Sequence, residues 1–297
     1  MERARGMRDS TSQTRRQLLL GLALVSSAWP FISLAKAPPV RRVFITGSTD
    51  GLGRGAAVAL MREGHEVILH ARSKERAAQA FADLAPRAAG VVIGDLANAA
   101  QTRALADQVN EIGRVDAVIH NAGIFREPNR GTTPEGHAKV LAVNTLAPYM
   151  LTALIERPER LIYIGSSMHH GGDDSLHDID WVERRWDTYR AYSESKLYVT
   201  ALAFAIARRW PKVLSNAVDP GWVPTKMGGP SAPDDLEQGY LTQTWLAVSD
   251  DPRAKVSGRY WYHRRQQKPA SEALDTDFQD RLIAKLAELT GVTLASA

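Results

Sequence analysis

From residue 40 onward, short apolar runs alternate with longer stretches whose apolar positions recur at helical spacing. Residues 41–46, 66–70, 90–93, 117–120, 161–164, 213–218 and 258–262 read as strands. Residues 54–62, 74–84, 99–112, 135–155 and 192–209 between them have helix-favouring composition and a 3.6-residue period. Seven strands separated by helices predict a doubly wound α/β fold, a seven-stranded parallel sheet flanked by helices on both faces. No linker rich in Pro, Gly or Ser divides the stretch, so residues 38–297 read as one domain. Its main irregular segments, 169–187 and 220–235, follow the carboxyl ends of strands, where ligands bind in such sheets.

The 297 residues are 44% hydrophobic, which permits a sizeable core and excludes a disordered or wholly membrane-embedded chain. The formal net charge is +4, and it lies entirely in residues 1–37, where six cations (Arg3, Arg5, Arg8, Arg15, Arg16 and Lys36) face Glu2 and Asp9. The remainder is formally neutral, so the charge gives no evidence of a nucleic-acid surface. Arg15-Arg16 stands just ahead of an apolar run from Leu18 with no charge until Lys36, the layout of an export signal of twin-arginine type. Ala35-Lys36-Ala37 offers a cleavage site, but Pro38 behind it disfavours cleavage. Export to the periplasm is the expectation, with an uncut membrane anchor, or an ordinary N-terminal helix in a cytoplasmic protein, as alternatives. With no cysteine, thiol catalysis, thiolate zinc sites and disulfides are excluded.

The first strand runs into Gly47-Ser48-Thr49-Asp50-Gly51-Leu52-Gly53, and a helix follows. Gly47 suits a tight turn, Gly51 a close approach of backbone to a pyrophosphate, and Gly53 close packing of helix on strand. This Rossmann-type context makes the turn a candidate dinucleotide site. The spacing G-x-x-x-G-x-G after Thr46 resembles the short-chain dehydrogenase/reductase family, and further elements follow in that family's order. These are Asp95-Leu96, Asn121-Ala122-Gly123, Asn144, Ser166-Ser167, Tyr192-x-x-x-Lys196, and Pro220-Gly221 followed by Val223 and Thr225. The resemblance covers the chain from about residue 40 to its end.

The resemblance implies a nicotinamide cofactor held by Gly47 to Gly53, Asp95, Leu96, Asn121 to Gly123, Tyr192, Lys196, Pro220, Gly221, Val223 and Thr225. Where an NAD-preferring member places an aspartate after the second strand, this chain has Ala71-Arg72. Arg72 would form charge-assisted bonds to a 2′-phosphate, so NADP(H) is the expected cofactor, with NAD(H) left open.

Carbonyl reduction needs a hydride at carbon and a proton at oxygen, and a tyrosine of ordinary pKa transfers protons poorly at neutral pH. Tyr192 and Lys196, four apart on one helix face, would let the ammonium lower the phenol's pKa. A serine at the end of the fifth strand would orient the substrate oxygen. Ser166 and Ser167 both qualify; alignment of His169-His170 with retinol-dehydrogenase-like members favours Ser166 and leaves Gly165 where those usually have serine. By the same resemblance Asn144 would hold a water that relays protons to Lys196, Thr225 would bond the nicotinamide carboxamide, and residues 228–233 would form a substrate lid. Asp219 departs from the His or Asn commonly found before Pro-Gly.

His169, His170, Asp173, Asp174, His177 and Asp178 crowd one loop, but its two glycines and the lack of an i,i+4 histidine pair argue against a metal cage. The expected partner is a small carbonyl or alcohol substrate, and the family resemblance implies a homo-oligomer, a dimer or tetramer. The competing readings are a catalytically silent, cofactor-binding sensor or scaffold, and nucleotide-sugar chemistry of the extended branch, whose larger C-terminal domain does not fit the residues after Pro220.

Overall fold

A computed structural model describes residues 39–296; the expected targeting segment, residues 1–37 with Arg15 and Arg16, lies outside them. The strands are β1 (Arg42–Ile45), β2 (Glu66–Ala71), β3 (Gly90–Ile93), β4 (Ala117–His120), β5 (Arg160–Ile164), β6 (Leu214–Asp219), β7 (Tyr260–Tyr262) and β8 (Arg265–Gln267). They form one sheet in the order β3-β2-β1-β4-β5-β6-β7-β8. The first seven pair in parallel and β8 returns antiparallel along β7, so the sheet is mixed and eight-stranded rather than seven-stranded and parallel. The extra strand, Arg-Gln-Gln, is exposed and has no apolar alternation. His263 and Arg264 make its two-residue turn at φ +46° and +58°, without the Asn-Gly signal that usually marks such a hairpin.

The helices are α1 (Gly51–Arg62), α2 (Lys74–Phe81), α3 (Ala99–Ile112), α4 (Lys139–Leu141), α5 (Ala147–Leu154), α6 (Thr188–Arg209), α7 (Leu236–Val248), α8 (Ser271–Leu274) and α9 (Thr276–Thr290). The sequence predicts neither α7 nor α9. The apolar side chains of α7 are distributed around its whole circumference, whereas α9 carries Phe278, Leu282, Ile283 and Leu286 at legible helical spacing. The expected helix over 135–155 starts later, at Lys139, because residues 132–138 form a small β-bridged turn.

One apolar core gathers α3, α5, α6 and α9 on one face of the sheet, and a second gathers α1, α2 and α7 on the other. Between β1 and β4 the winding reverses, which opens a crevice at the carboxyl ends of those strands. Helix α6 is buried without interruption from Ala191 to Ile206, so the side chains of that stretch, Tyr192 and Lys196 among them, are held by packing.

Three histidines, His70, His120 and His169, lie in the interior. Burial depresses all three, His120 to about 3 and His169 to about 4. The unfolded chain takes up these protons below its ordinary value of 6.5 while the folded chain does not, so their stabilisation is complete above that pH and is lost as pH falls. Urea unfolding is expected to show stability falling as pH drops from 6.5 to 5, with a slope that approaches about 1.4 kcal/mol per pH unit for each of His120 and His169 toward the acid end. A constant unfolding free energy across that window would contradict burial as neutral imidazoles.

Candidate active site

The chain leaves β1 through Gly47 at φ +65° and enters α1 through Gly51 at φ +51°. A Cβ on Gly47 would stand 3.0 Å from the Ala122 Cα, and one on Gly53 would run into the Gly47 carbonyl. The Thr46 hydroxyl accepts from the Ala122 amide at 3.0 Å, and the Asn121 side-chain amide donates to the Thr46 carbonyl at 3.0 Å. These bonds tie the glycine turn to the Asn-Ala-Gly element across the crevice. Asp50 caps α1, accepting from the Gly51 amide at 2.7 Å, and pairs with Lys226, which holds its carboxyl below the usual range. Thr225 rests on the turn, its Cγ2 3.1 Å from where a Gly51 Cβ would be. A helix N-terminus cleared of side chains fits the pyrophosphate of a dinucleotide.

Ser48 faces inward. Its hydroxyl accepts from the His70 amide at 2.8 Å, while the Gly47 amide donates to His70 Nδ1 at 2.9 Å. His70 Nε2 lies 2.8 Å from the Gly94 carbonyl, so the network calls for a neutral ring protonated at Nε2. The sequence reading does not single out His70; a lone histidine in an apolar strand, level with the glycine turn, was the available signal. Arg72 directly follows β2, is exposed, and makes no ion pair among the described residues. Asp95 follows β3 and accepts from the Ala97 amide at 2.9 Å; Leu96 is buried. Thr49 and Leu52 are half-buried on the turn, and Pro220 and Val223 are buried beneath Gly221, which turns at φ +83°.

Tyr192 and Lys196 sit one turn apart on α6, which Asp187 caps by accepting from the amides of Tyr189 and Arg190. Lys196 Nζ donates to the Ile164 carbonyl at 2.8 Å. A Cβ on Gly123 would lie 3.4 Å from both Lys196 Nζ and Asn144 Oδ1, so the Asn-Ala-Gly element and these two residues meet. After β5 the chain makes a tight turn, Ser167–Gly171, capped by the Ser166 hydroxyl. The Ser166 side chain interacts with the Tyr192 phenol, whereas Ser167 is exposed and turns its amide toward Asp219. A Cβ on Gly165 would stand 3.1 Å from Thr200 Oγ1, leaving a serine there little room.

Asn144 lies in a π turn, Ala142–Leu146, with its side chain fully engaged. Its Oδ1 accepts from the Ile124 amide at 2.8 Å, and its Nδ2 donates to the Ile124 carbonyl and Ser195 Oγ, each at 3.0 Å. Pro148, four residues on, has no N–H to offer the Asn144 carbonyl, a local reason for the departure from α-helical geometry.

Burial raises the Tyr192 phenol above its ordinary value; Asp219 adds to the rise and Ser166 opposes it. Burial lowers Lys196 to about 8 against the opposing pull of Asp219. Asp219 itself is raised by burial, although the Gly221 amide donates to it at 2.9 Å. The expected lowering of the phenol by Lys196 is therefore not the dominant effect. The ammonium is engaged by a carbonyl and lies 5.5 Å from the phenol's ring centre, and desolvation prevails.

The acid- and histidine-rich loop is internally bonded. His169 Nδ1 donates to the Ser166 carbonyl and its Nε2 accepts from the Ala270 amide, while Asp178 accepts from the amides of Val182, Glu183 and Arg184. Trp181 Nε1 and the Arg184 guanidinium both bond the buried Glu194, anchoring the loop to α6 between Tyr192 and Lys196. A cleft of about 650 Å³ between α1 and α7 is lined by Asp50, Arg54, Thr225, Lys226 and Tyr240 but by none of Ser166, Tyr192 or Lys196.

The fold and this crevice are those of an oxidoreductase built on a doubly wound sheet. The chain belongs to the short-chain dehydrogenase/reductase family: the family described as enoyl-(acyl carrier protein) reductase matches residues 47–250. Short-chain dehydrogenase chry4 of Gibberella zeae is 43% identical over 259 residues, covering 86% of this chain and 99% of that protein. Human retinol dehydrogenase 13 is 31% identical over 292 residues, covering 87% of each. Among solved structures, an uncharacterized protein from Mycobacterium paratuberculosis superposes with TM-score 0.73 at 26% identity, covering 86% of this chain and 95% of that one. The gluconate 5-dehydrogenase of Burkholderia cenocepacia, in complex with NADP and tartrate, shares the fold with TM-score 0.59 at 21% identity, covering 76% and 94%.

While ionised, Asp219 disfavours phenolate at Tyr192 and favours ammonium at Lys196. Asp219→Asn is expected to move the acidic limb of the kcat/KM profile for alcohol oxidation to lower pH. An unmoved limb would show that the carboxylate does not act on the pair.

Proposed function

We propose that this chain interconverts a ketone or aldehyde with an alcohol, using NADP(H). The observation that carries the reading is the buried Tyr192 phenol beside Ser166, one helical turn from Lys196. A bound nicotinamide supplies or accepts the hydride. The substrate oxygen lies between Ser166 Oγ and Tyr192 Oη; Ser166 orients it, and Tyr192 Oη gives it a proton as the carbon is reduced. A phenol held protonated suits that step. Lys196, lowered to about 8 by burial, returns the proton to the phenol.

The preference for NADP(H) over NAD(H) rests on Ala71-Arg72, with Arg72 exposed and without an ion pair among the described residues, and is in keeping with the NADP in the gluconate 5-dehydrogenase complex. Export rests on residues 1–37 alone, and no helix among the described residues is long and apolar enough to cross a membrane. Recovery of the full-length chain solely from the cytoplasmic fraction would overturn it. The homo-oligomeric state is checked by light scattering, where a monomeric mass would refute it.

Tyr192→Phe is expected to lose at least about a hundredfold in NADPH-dependent carbonyl turnover while NADPH still binds. Undiminished turnover would refute the acid/base role, and a wild-type preference for NADH of more than about tenfold would refute the cofactor assignment.

A further inference from the structure

Ser166 stands on a stretch of chain with little stiffness of its own. Gly165 before it has no Cβ to restrict the backbone, and the turn after it, Ser167–Gly171, is only five residues long. The Ser166 side chain caps that turn, its Oγ accepting from the Met168 amide at 3.2 Å, so the direction of the hydroxyl toward Tyr192 follows the geometry of the turn. Neighbouring groups fix the stretch from outside. Lys196 Nζ holds the Ile164 carbonyl, and the Val218 carbonyl holds the Gly165 amide at 2.7 Å. The next carbonyl along, that of Ser166, is held by His169.

His169 is fully buried and bonds through both ring nitrogens. Its Nε2 accepts from the Ala270 amide at 2.9 Å, an assignment forced by a main-chain N–H that can only donate. The proton of the neutral ring then sits on Nδ1, 2.7 Å from the Ser166 carbonyl, which also accepts from the His169 amide at 3.0 Å. Burial lowers the ring to about 4, which keeps Nε2 an acceptor at neutral pH. The ring also lies against Tyr260, at 4.7 Å and 44°, and Tyr260 in turn covers Gly165, where an added Cβ would stand 3.4 Å from its Cε2. His169 thus joins the serine turn to the buried main chain just ahead of α8, 101 residues further along.

We infer that His169 is a positioning residue of the reaction, aiming Ser166 by tying its carbonyl to the main chain at Ala270. The role rests on the carbonyl/alcohol reading above, in which Ser166 orients the substrate oxygen. His169 acts through Ser166 rather than on the reacting atoms. Two consequences separate this role from packing alone. The bond from Nδ1 matters more than the bond to Nε2, and the loss of His169 costs little further once Ser166 has no hydroxyl.

Asparagine and glutamine divide the two bonds. The Asn amide nitrogen reaches the place of Nδ1 and the Gln amide the place of Nε2, so His169→Asn retains the donor to Ser166 and His169→Gln retains the acceptor for Ala270. Reduction of 4-nitrobenzaldehyde by NADPH is measured on the full chain, and hydrogen exchange of the amides of residues 166–171 is followed by mass spectrometry without substrate. In His169→Gln, kcat/KM is expected to fall about tenfold, and in His169→Asn by no more than about threefold. In a Ser166→Ala background, His169→Gln should change it by less than about twofold. The amides of 166–171 should exchange faster in His169→Gln than in the wild type or His169→Asn. Equal losses in the two variants, no loss in His169→Gln, or a loss undiminished in the Ser166→Ala background overturns the role. So does unaltered exchange in His169→Gln, whatever turnover shows. A wild type that reduces no 4-nitrobenzaldehyde, with exchange faster in His169→Gln alone, upholds the clamp and counts against the reductase reading; active wild type with unaltered exchange does the reverse.

Discussion

The reversal of winding between β1 and β4 is the constraint on which the rest of this molecule depends. Because the strands run parallel, each must be reached by a crossover, and because the order is β3-β2-β1-β4, the crossovers leaving β1 and β4 go to opposite faces. No connection then fills the space above the carboxyl ends of those two strands. Into it project the amides of the glycine turn, the Asn-Ala-Gly element and, from α6, the pair Tyr192 and Lys196. Thr46 and Asn121 bridge the gap through two bonds of 3.0 Å, so the opening that admits a ligand has fixed walls.

Those walls are held largely by side chains bonding main chain. His70 reads the Gly47 amide and the Gly94 carbonyl, Asn144 reads both groups of Ile124, and Lys196 reads the Ile164 carbonyl. A side-chain amide or imidazole in a core is costly unless its polar atoms are met, and meeting them with backbone orders the loops that carry the site. The consequence is that residues of catalytic type also have structural duties. Asn144 and Ser48, read from the sequence as site residues, direct their side chains to protein groups.

What could be read in the sequence follows from how local each demand is. Gly47, Gly51 and Gly53 answer to a turn, a close approach and a helix contact within a few residues, and their order with Tyr192 and Lys196 survives in one dimension. The parallel strands were legible for the same reason. Other features depend on contacts between distant segments. The difference between Ser166 and Ser167 depends on the direction of a tight turn, and the influence of Asp219 on burial beside α6 and β7. Strand β8 was illegible because three exposed polar residues carry no pattern, and α7 because a helix that is apolar on several sides has no dominant stripe.

The protonation states of the buried pair bear on how the site works. Burial disfavours charge, so it pushes Tyr192 and Lys196 in opposite directions on the pH scale: the phenol becomes harder to ionise and the ammonium easier to discharge. Near neutrality the phenol therefore carries its proton. As pH rises, Lys196, lowered to about 8, is the first of the two to lose one. A site in that state is ready to protonate an oxygen as it gains negative charge, whereas taking a proton from an alcohol requires the phenol to ionise first against its surroundings. Asp219 deepens the asymmetry at Tyr192 and softens it at Lys196, because the same negative charge opposes a phenolate and favours an ammonium. The residue before Pro220-Gly221 thus acts on both members of the pair from one position, through charge rather than contact with the reacting atoms.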